Sequence, residues 1–279
     1  MASPEDGADE RTQGAGPVLI TEDDDGRRSL RFGEGGARQS VVWPGEPLRL
    51  ELPYTRMAMV ALAFMPRPEN ILAVGLGGGA IPMFLRTVLP DTHIDVVEVD
   101  AGVVEAAKQY CGFQEDALLR AHVADGRAFI EAEGPPYDVI ILDAYGADHI
   151  PLHLATREFL GAARSRLTRG GVVVGNVWES AANPLYDAMV RTYQVSFQGL
   201  SLFEVPSSTN RILVGLEGPL RLTREALVAQ ARRVEQERGL PFRLSSLVAQ
   251  RYRPLTRRLG RGRVLTDAGL GDESLYDDG

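Results

Sequence analysis

The chain has 279 residues, of which 44% are hydrophobic and 24% are charged, the composition of an ordinary soluble globular protein. Its formal net charge of −8 argues against a nucleic-acid partner, because phosphate backbones are bound by clusters of Lys and Arg. The single cysteine excludes an intrachain disulfide, and no apolar run approaches the ~20 residues that a membrane span needs.

The N-terminal quarter of the chain divides into two predicted segments. Residues 1–17 are rich in Gly, Asp and Glu, which predicts a disordered leader, and they lack the basic and apolar regions of a secretory signal. We therefore expect a cytoplasmic protein. Within residues 18–65, short apolar runs separated by DG and GG turn signals predict an antiparallel β unit, and the stretch LELPYTRMAMVALAFM predicts a helix.

Strand-like and helix-like stretches alternate through residues 66–217. The strand-like stretches are rich in Val and Ile and apolar nearly throughout, which predicts a mostly parallel sheet covered by helices on both faces. We therefore predict an α/β, Rossmann-like fold, which binds ligands beyond the carboxyl ends of its strands. Residues 218–279 are rich in Arg, show a helical pattern and end in an acidic tail. This pattern predicts a helical C-terminal extension. The stretch VLTD at 264–267 is a candidate for a return to the site.

A glycine-rich loop links the first strand of this region to the following helix. Its glycines allow the backbone to approach a ligand closely and to aim N–H groups at an anion or a polar tail. Glu98 follows about 20 residues later at the end of the next strand, where an acid accepts both ribose hydroxyls of an adenosine-type ligand. These two features fit NAD and S-adenosyl ligands alike. The loop glycines are Gly75, Gly77, Gly78 and Gly79.

Two further carboxylates follow at the ends of later strands. Asp125 comes after the third strand, where it can accept from an adenine amino group, and Asp143 lies at the tip of the fourth. Carboxylates at the ends of apolar strands are costly unless they are paired or functional. Because these positions serve NAD poorly and no Tyr-x-x-x-Lys pair for hydride transfer occurs, an NAD-dependent oxidoreductase is the least favoured alternative.

The motifs ILAVGLGGGAIPMFL, VVEVD, HVADGRAF and YDVIILDAY, in this order and preceded by ARQSVVW and LELPYTRM, resemble those of one known family. The family is that of the spermidine synthase-like proteins (polyamine aminopropyltransferases), a branch of the class I S-adenosylmethionine-dependent methyltransferase superfamily. The resemblance covers roughly residues 18–215. It implies transfer of an aminopropyl group from decarboxylated S-adenosylmethionine to a small-molecule amine, a homodimer, and a lid formed by residues 18–65.

The resemblance also implies roles for individual residues. Glu98 would bind the ribose, Asp125 and Gly126 the adenine, and the glycine loop the aminopropyl or methionine portion of the donor. Gln39 and Tyr54 would come from the lid.

The acid beside the attacking amine would be Asp143, with Tyr54 and Asp148 as further catalytic candidates. Asp148, His149 and His153 superficially suggest a metal site, but no supporting cluster accompanies them and we expect no metal. Exposed or capping histidines in a lid loop are the favoured interpretation.

Two departures from the family pattern leave alternatives open. Gly78 stands where members that act on diamines carry an aspartate, which engages the amine of the decarboxylated donor and repels the carboxylate of the intact one. Gly146 stands where a second acceptor-binding aspartate is common. An S-adenosylmethionine-dependent methyltransferase is therefore the second hypothesis, and a catalytically weak nucleoside-binding homologue is the third.

Overall fold

The structure, a computed structural model, describes residues 17–33, 38–144, 151–255 and 262–270. Within these residues the strands form one sheet of three strands and one of eight. The small sheet is antiparallel, with its strands side by side in chain order, and confirms the predicted N-terminal β unit. Its strands are β1 (Val18–Glu22), β2 (Arg28–Phe32) and β3 (Arg38–Val42).

The large sheet carries the crevice in which α/β proteins bind ligands. Its strands are β4 (Asn70–Val74), β5 (His93–Glu98), β6 (Leu119–Val123), β7 (Tyr137–Leu142), β8 (Leu167–Trp178), β9 (Gly199–Glu204), β10 (Asn210–Leu216) and β11 (Tyr252–Pro254). They lie in the order β11-β9-β10-β8-β7-β4-β5-β6. Strands β4 to β8 are parallel, and the pairings of β8 with β10, β10 with β9, and β9 with β11 are antiparallel. Because the chain runs outward from β4 to β6 and returns to β7 on the other side of β4, a crevice opens where β4 and β7 end.

Helices cover both faces of this sheet. Three consecutive strand residues, Val172, Val173 and Val174, are fully buried, as a sheet covered on both faces requires. The helices are α1 (Pro53–Ala58), α2 (Ala61–Phe64), α3 (Ala80–Val88), α4 (Ala101–Tyr110), α5 (Gly126–Glu131), α6 (Arg157–Ser165), α7 (Tyr186–Ser196), α8 (Arg224–Arg238) and α9 (Leu244–Arg251). Helices α5, α6 and α7 pack on one face and the others on the opposite face. The predicted mostly parallel, Rossmann-like α/β fold is confirmed.

The single helix predicted before β4 is two short helices, α1 and α2. Between them the backbone makes bonds of the i to i−3 type, from Val60 N to Met57 O (3.0 Å) and from Leu62 N to Met59 O (3.0 Å). These four side chains are almost completely buried in the core shared with the sheet and α8. Packing on all sides therefore determines the local geometry. The division of the chain at residues 65 and 66 stays a prediction.

The C-terminal extension contains two helices, α8 and α9, and also a strand that the sequence analysis did not predict. Strand β11 pairs with β9 at the edge of the large sheet, where Pro254 lies opposite Ser201. An edge position tolerates a proline because one side of the strand needs no ladder bond. Among the described residues, Leu152–Leu154 and Asp267–Gly269 form 3-10 turns. Across the described ranges, no helix has the length and apolar character needed to cross a bilayer.

Candidate active site

The carboxyl ends of β4, β5, β6 and β7 bring the predicted site residues to one edge of the sheet. Gly75 N donates to Val97 O (2.8 Å), and Asp143 N donates to Val74 O (2.9 Å). The end of β4 therefore lies between the ends of β5 and β7. Ala124 N donates in turn to the main-chain oxygen of Glu98 (3.0 Å), which continues the edge to β6.

The glycine loop packs directly against the end of β7. Gly75 has φ of +99°, and a Cβ atom on it would lie 2.3 Å from the main-chain oxygen of Asp143. Gly79, with φ of +81°, would place a Cβ atom 2.9 Å from the ring of Phe113. Internal packing therefore requires glycine at both positions, besides any approach of the backbone to a ligand.

Strand β3 of the small sheet fills the space beside Gly78. A Cβ atom on Gly78 would lie 3.0 Å from Ser40 Oγ and 3.0 Å from Val42 Cγ1, and one on Gly77 would lie 3.1 Å from Ser40 Cβ. An aspartate at position 78 would therefore require the Ser40 and Val42 side chains to shift. The glycine that replaces the usual loop aspartate is thus closely packed against strand β3 of the N-terminal sheet.

Glu98 is held by backbone donors on both carboxylate oxygens. Oε2 accepts from Leu76 N (3.0 Å) and Oε1 accepts from Asp100 N (3.1 Å). Burial raises the pKa of Glu98, against the opposing effect of these hydrogen bonds. Each carboxylate oxygen keeps a second lone pair, so Glu98 is oriented to accept from a pair of vicinal hydroxyls.

Asp125 has partners on both of its carboxylate oxygens. Oδ1 caps α5 by accepting from Ala128 N (2.8 Å), and Oδ2 lies 2.9 Å from His153 Nε2. Burial acts to raise the pKa of Asp125, but these two hydrogen bonds outweigh it and the pKa is lowered. An adenine amino group would therefore share Oδ2 with His153. Gly126 is required by packing, since a Cβ atom there would lie 2.4 Å from Val74 Cγ1.

Two exposed valines beside these acids were missed by the sequence analysis. Val99 is 65% exposed and Val123 is 56% exposed, and they lie at the ends of the neighbouring strands β5 and β6. An apolar surface between Glu98 and Asp125 suits the face of a purine ring. The available signal was their position, one residue after the first acid and two residues before the second.

Asp143 accepts a hydrogen bond on each oxygen from a different part of the fold. Tyr54 on α1 donates to Oδ2 (3.1 Å), and Nδ2 of Asn176 on β8 donates to Oδ1 (2.9 Å). Burial raises the pKa of Asp143 to about 6, although both hydrogen bonds oppose the shift. Burial, followed by the charge and the hydrogen bond of Asp143, raises the pKa of Tyr54 well above its usual value.

Asn176 and Asn210 extend this network and were also missed. Nδ2 of Asn210 on β10 donates to Oδ1 of Asn176 (2.8 Å), and the Ser208 hydroxyl donates to Oδ1 of Asn210 (2.5 Å). Asn176 is only 6% exposed. A buried amide within the valine-rich stretch GGVVVGNVW was the available signal, because a buried polar group needs partners.

The VLTD stretch returns to the part of the sheet edge that carries Asp125. Asp267 makes a bidentate ion pair with Arg127, with Oδ1 2.7 Å from Nη1 and Oδ2 2.5 Å from Nη2. Leu265 N donates to Thr192 Oγ1 (2.9 Å). Because Arg127 belongs to α5, which Asp125 caps, the C-terminal segment is attached to the helix beside Asp125.

Three predicted residues fall partly or wholly outside this description. Asp148 and His149 lie outside the described residues. Gln39 belongs to β3, but its side chain lies outside the described part of the structure. In the ranges that are described, no group of three His, Cys, Asp or Glu side chains is placed to hold a metal ion.

Comparison with known proteins identifies the family. The model of the spermine/spermidine synthase domain matches residues 51–204, which is more than half of the chain. The chain therefore belongs to the spermine/spermidine synthase family. Its matched region extends from α1, which carries Tyr54, to the end of β9.

Individual relatives include both aminopropyltransferases and methyltransferases. A polyamine aminopropyltransferase of Vibrio vulnificus is 39% identical over 172 residues, which are 60% of this chain and 57% of that protein. An eEF1A lysine and N-terminal methyltransferase of Mus musculus is 33% identical over 174 residues, covering 56% of this chain and 25% of that protein. The chain thus spans little more than half of the first relative and a quarter of the second.

A solved structure agrees in fold and carries a bound nucleoside. Human methyltransferase-like protein 13 in complex with SAH is 26% identical, with a TM-score of 0.61. The similarity covers 68% of this chain and 94% of that one. The sheet described above is therefore that of a class I methyltransferase-like fold.

Proposed function

We propose that this protein is a spermidine synthase-like transferase that moves an aminopropyl group from an S-adenosyl sulfonium donor to a polyamine-type amine. The observation that carries the proposal is the Asp143 carboxylate, held by Tyr54 and Asn176 at the sheet edge beside the glycine loop. Membership of the spermine/spermidine synthase family supports it. The proposed donor is decarboxylated S-adenosylmethionine.

The donor subsite is proposed to follow the ends of β4, β5 and β6. Glu98 would accept from the ribose hydroxyls, and Asp125 with Gly126 would bind the adenine edge. The loop residues Gly75, Gly77, Gly78 and Gly79 would face the aminopropyl portion, with Gln39 beside them. The paired backbone donors on Glu98 support its role, because they fix the carboxylate before any ligand arrives.

Asp143 is proposed to be the catalytic base. An aliphatic amine is protonated near neutral pH and must lose its proton before it attacks. Asp143 would accept that proton, and the freed nitrogen lone pair then forms a C–N bond while the C–S bond breaks. The sulfonium becomes a neutral thioether, and the positive charge passes to the product nitrogen, which leaves as an ammonium. A carboxyl with a pKa of about 6 holds that proton better than an ordinary aspartate. Tyr54 would orient the carboxylate, and Asp148 stays a further candidate.

A methyltransferase that uses intact S-adenosylmethionine is the second candidate function. The packing of Ser40 and Val42 against Gly78 favours it, because no acidic side chain from that position repels the donor carboxylate. The same crevice and the same base would serve methyl transfer to an amine. The two candidates therefore differ in the donor and in the group transferred.

Assembly, location and division of the chain are parts of the same proposal. We infer a homodimer, located in the cytoplasm, with residues 18–65 as a lid over a catalytic domain of residues 66–217. The dimer is what the resemblance to the aminopropyltransferases implies, and the contact of β3 with the glycine loop supports the lid. Sedimentation of the purified protein at several concentrations tests the dimer.

Calorimetric titration with decarboxylated and with intact S-adenosylmethionine tests the donor. We expect the decarboxylated donor to bind more tightly. That result would mean that the glycine loop excludes the carboxylate of the intact donor even though Gly78 replaces the usual aspartate. Tighter binding of intact S-adenosylmethionine would favour the second candidate function, a methyltransferase. If neither binds, the proposed donor site is wrong.

A further inference from the structure

A chain of hydrogen bonds ends on the proposed base. Ser208 Oγ donates to Oδ1 of Asn210, Nδ2 of Asn210 donates to Oδ1 of Asn176 (2.8 Å), and Nδ2 of Asn176 donates to Oδ1 of Asp143 (2.9 Å). Ser208 Oγ also accepts from Asn210 N (3.1 Å), which fixes the start of the chain. Every member donates toward Asp143, so the chain has one direction.

The strand register makes this chain possible. Asn176 on β8 lies opposite Ile212, and Asn210 on β10 lies opposite Trp178. Residues two apart on a strand share a face, so both asparagines belong to the face on which Ile212 enters the core beneath α1. Helix α1 supplies Tyr54 from the other side of the carboxylate. Asp143 thereby accepts from donors on two elements, α1 and β8, and β10 supports the donor on β8.

The direction of the chain follows from the chemistry of its end. An ionised carboxylate only accepts, so Asn176 must present its amide nitrogen to Asp143. Its oxygen then points toward β10 and needs a donor, which Asn210 supplies through its own nitrogen. If Asn210 offered an acceptor instead, Asn176 would gain by turning over, and its oxygen would then face Asp143. In that orientation the amide oxygen of Asn176 would repel the ionised carboxylate of Asp143.

We propose that Asn210 is a positioning residue that acts through Asn176 to keep the Asp143 carboxylate oriented and ready to accept a proton. The role as a base rests on the proposed function, whereas the orientation rests on the hydrogen bonds alone. Tyr54 is the titratable side chain in contact with Asp143 among the described residues. On the other sides, Gly75 offers only backbone, and Asn176 and Asn210 carry no charge.

The variant Asn210→Asp tests this inference most sharply. It keeps the size of the side chain and leaves an oxygen to accept from Ser208, but it removes the donor to Asn176. Asn183→Asp is the matched control, because it adds the same charge in the segment after β8 and lies outside the chain. Oδ1 of Asn183 accepts from Leu185 N (3.0 Å), a bond that an aspartate retains.

The readout is the titration of Asp143 itself, followed by carbon NMR of labelled aspartate in the ligand-free protein. The Asp143→Asn variant assigns the signal. We expect Asn210→Asp to raise the pKa of Asp143 by about one pH unit, since an orientation that stabilises the ionised form is lost. The acid limb of the pH profile of kcat/KM should move up by the same amount. At pH values well below the pKa of Asp143, kcat/KM of the variant should therefore be about tenfold lower than that of the wild type. Donor affinity should stay within about twofold, because the chain lies outside the donor subsite.

Equal titration of Asp143 in the wild type and in Asn210→Asp would overturn the inference. An equal shift in Asn183→Asp would also overturn it, because added charge alone would then be the cause. If Asn210→Asp does not fold, Ser208→Ala replaces it as the test, and an unchanged titration there again contradicts the inference. Absence of transferase activity would refute the proposed function and leave the NMR result to decide the positioning role.

Discussion

Asp143 combines a position near water with the electrostatics of a buried group. Neutral donors from α1 and β8 hold its two oxygens, and burial raises its pKa to about 6. At pH 7 the carboxylate is therefore mostly ionised, yet it binds a proton more tightly than an exposed aspartate does. Tyr54 stays protonated and remains a donor, because its own pKa lies well above the usual value.

Replacement of Asp143 by asparagine should abolish proton acceptance and preserve donor binding. We expect kcat to fall by about 100-fold or more, the usual range for loss of a general base, while the donor Kd stays within about threefold. Asp138→Asn is the matched control at the opposite end of β7, where the side chain accepts from Glu69 N and Asn70 N. An unchanged kcat in Asp143→Asn would show that Asp143 is not the base.

The same variant should change the pH dependence of stability. The folded state raises the pKa of Asp143 above its unfolded value, so the ionised form costs stability, and the native state loses free energy of unfolding as pH rises through about 6. Asp143→Asn removes that cost. Thermal denaturation should give a higher Tm than the wild type at pH 8 and an equal Tm at pH 4. A lower Tm at pH 8 would contradict this account.

Sequence reasoning placed three acids at one edge of the sheet and missed the amide partners of Asp143. Glu98, Asp125 and Asp143 could be predicted because each ends an apolar strand, and parallel strands end at one edge. Asn176 and Asn210 meet through an antiparallel register between β8 and β10, and no local pattern encodes that pairing. The hydrogen bond between Asp125 and His153 joins residues 28 apart and was missed for the same reason.

At the scale of the elements, the glycine loop and the end of β7 form one tightly packed unit. Gly75→Ala would place Cβ 2.3 Å from the main-chain oxygen of Asp143, and so would displace Asp143. We expect a loss of more than about 3 kcal/mol in the free energy of unfolding, with a large loss of kcat.

The control variant Gly26→Ala measures the cost of backbone strain alone, without the steric clash that Gly75→Ala adds. Gly26 has a similar φ of +86°, but no atom lies within 4 Å of the added Cβ. It should cost only about 1–2 kcal/mol, the usual penalty of a side chain in the left-handed region, and should leave kcat unchanged. Chemical denaturation of both variants measures the difference, and equal losses would contradict the packing argument.

The ion pair between Asp267 and Arg127 is one of the contacts that attach the C-terminal segment beside Asp125. Asp267→Asn removes half of the bidentate pair with Arg127, so hydrogen exchange at the Leu265 amide should become faster. Glu131→Gln is the control, because Glu131 also pairs with Arg127 but belongs to α5 itself. Unchanged exchange in Asp267→Asn would mean that other contacts hold the segment.

The order of the strands between β4 and β10, and of the helices between them except α5, could be predicted because each carries a clear apolar period and is bounded by turn residues. Helix α5 was not predicted, because its six residues are too few to show a helical period. The break between α1 and α2 and strand β11 could not be predicted either. The break between α1 and α2 follows from burial on all sides, which removes the amphipathic pattern. Strand β11 has three residues and is defined only by its pairing with β9, so it has no period of its own.

At the scale of the whole molecule, two chemically different regions meet in the crevice. The ends of β4, β5 and β6 present oriented acids, glycines and exposed apolar side chains, which suit an adenosine-type donor. The ends of β7, β8 and β10, with α1 above them, present Asp143 and its neutral donors, which suit an amine.

The most direct measurement is the mass spectrum of a polyamine acceptor after incubation with the protein and either donor. Our account predicts that the acceptor gains an aminopropyl group from decarboxylated S-adenosylmethionine, and that Asp143→Asn loses this product. A methylated acceptor formed only from intact S-adenosylmethionine would contradict the account and establish the methyltransferase. Equal product from the wild type and Asp143→Asn would contradict the role of Asp143 with either donor.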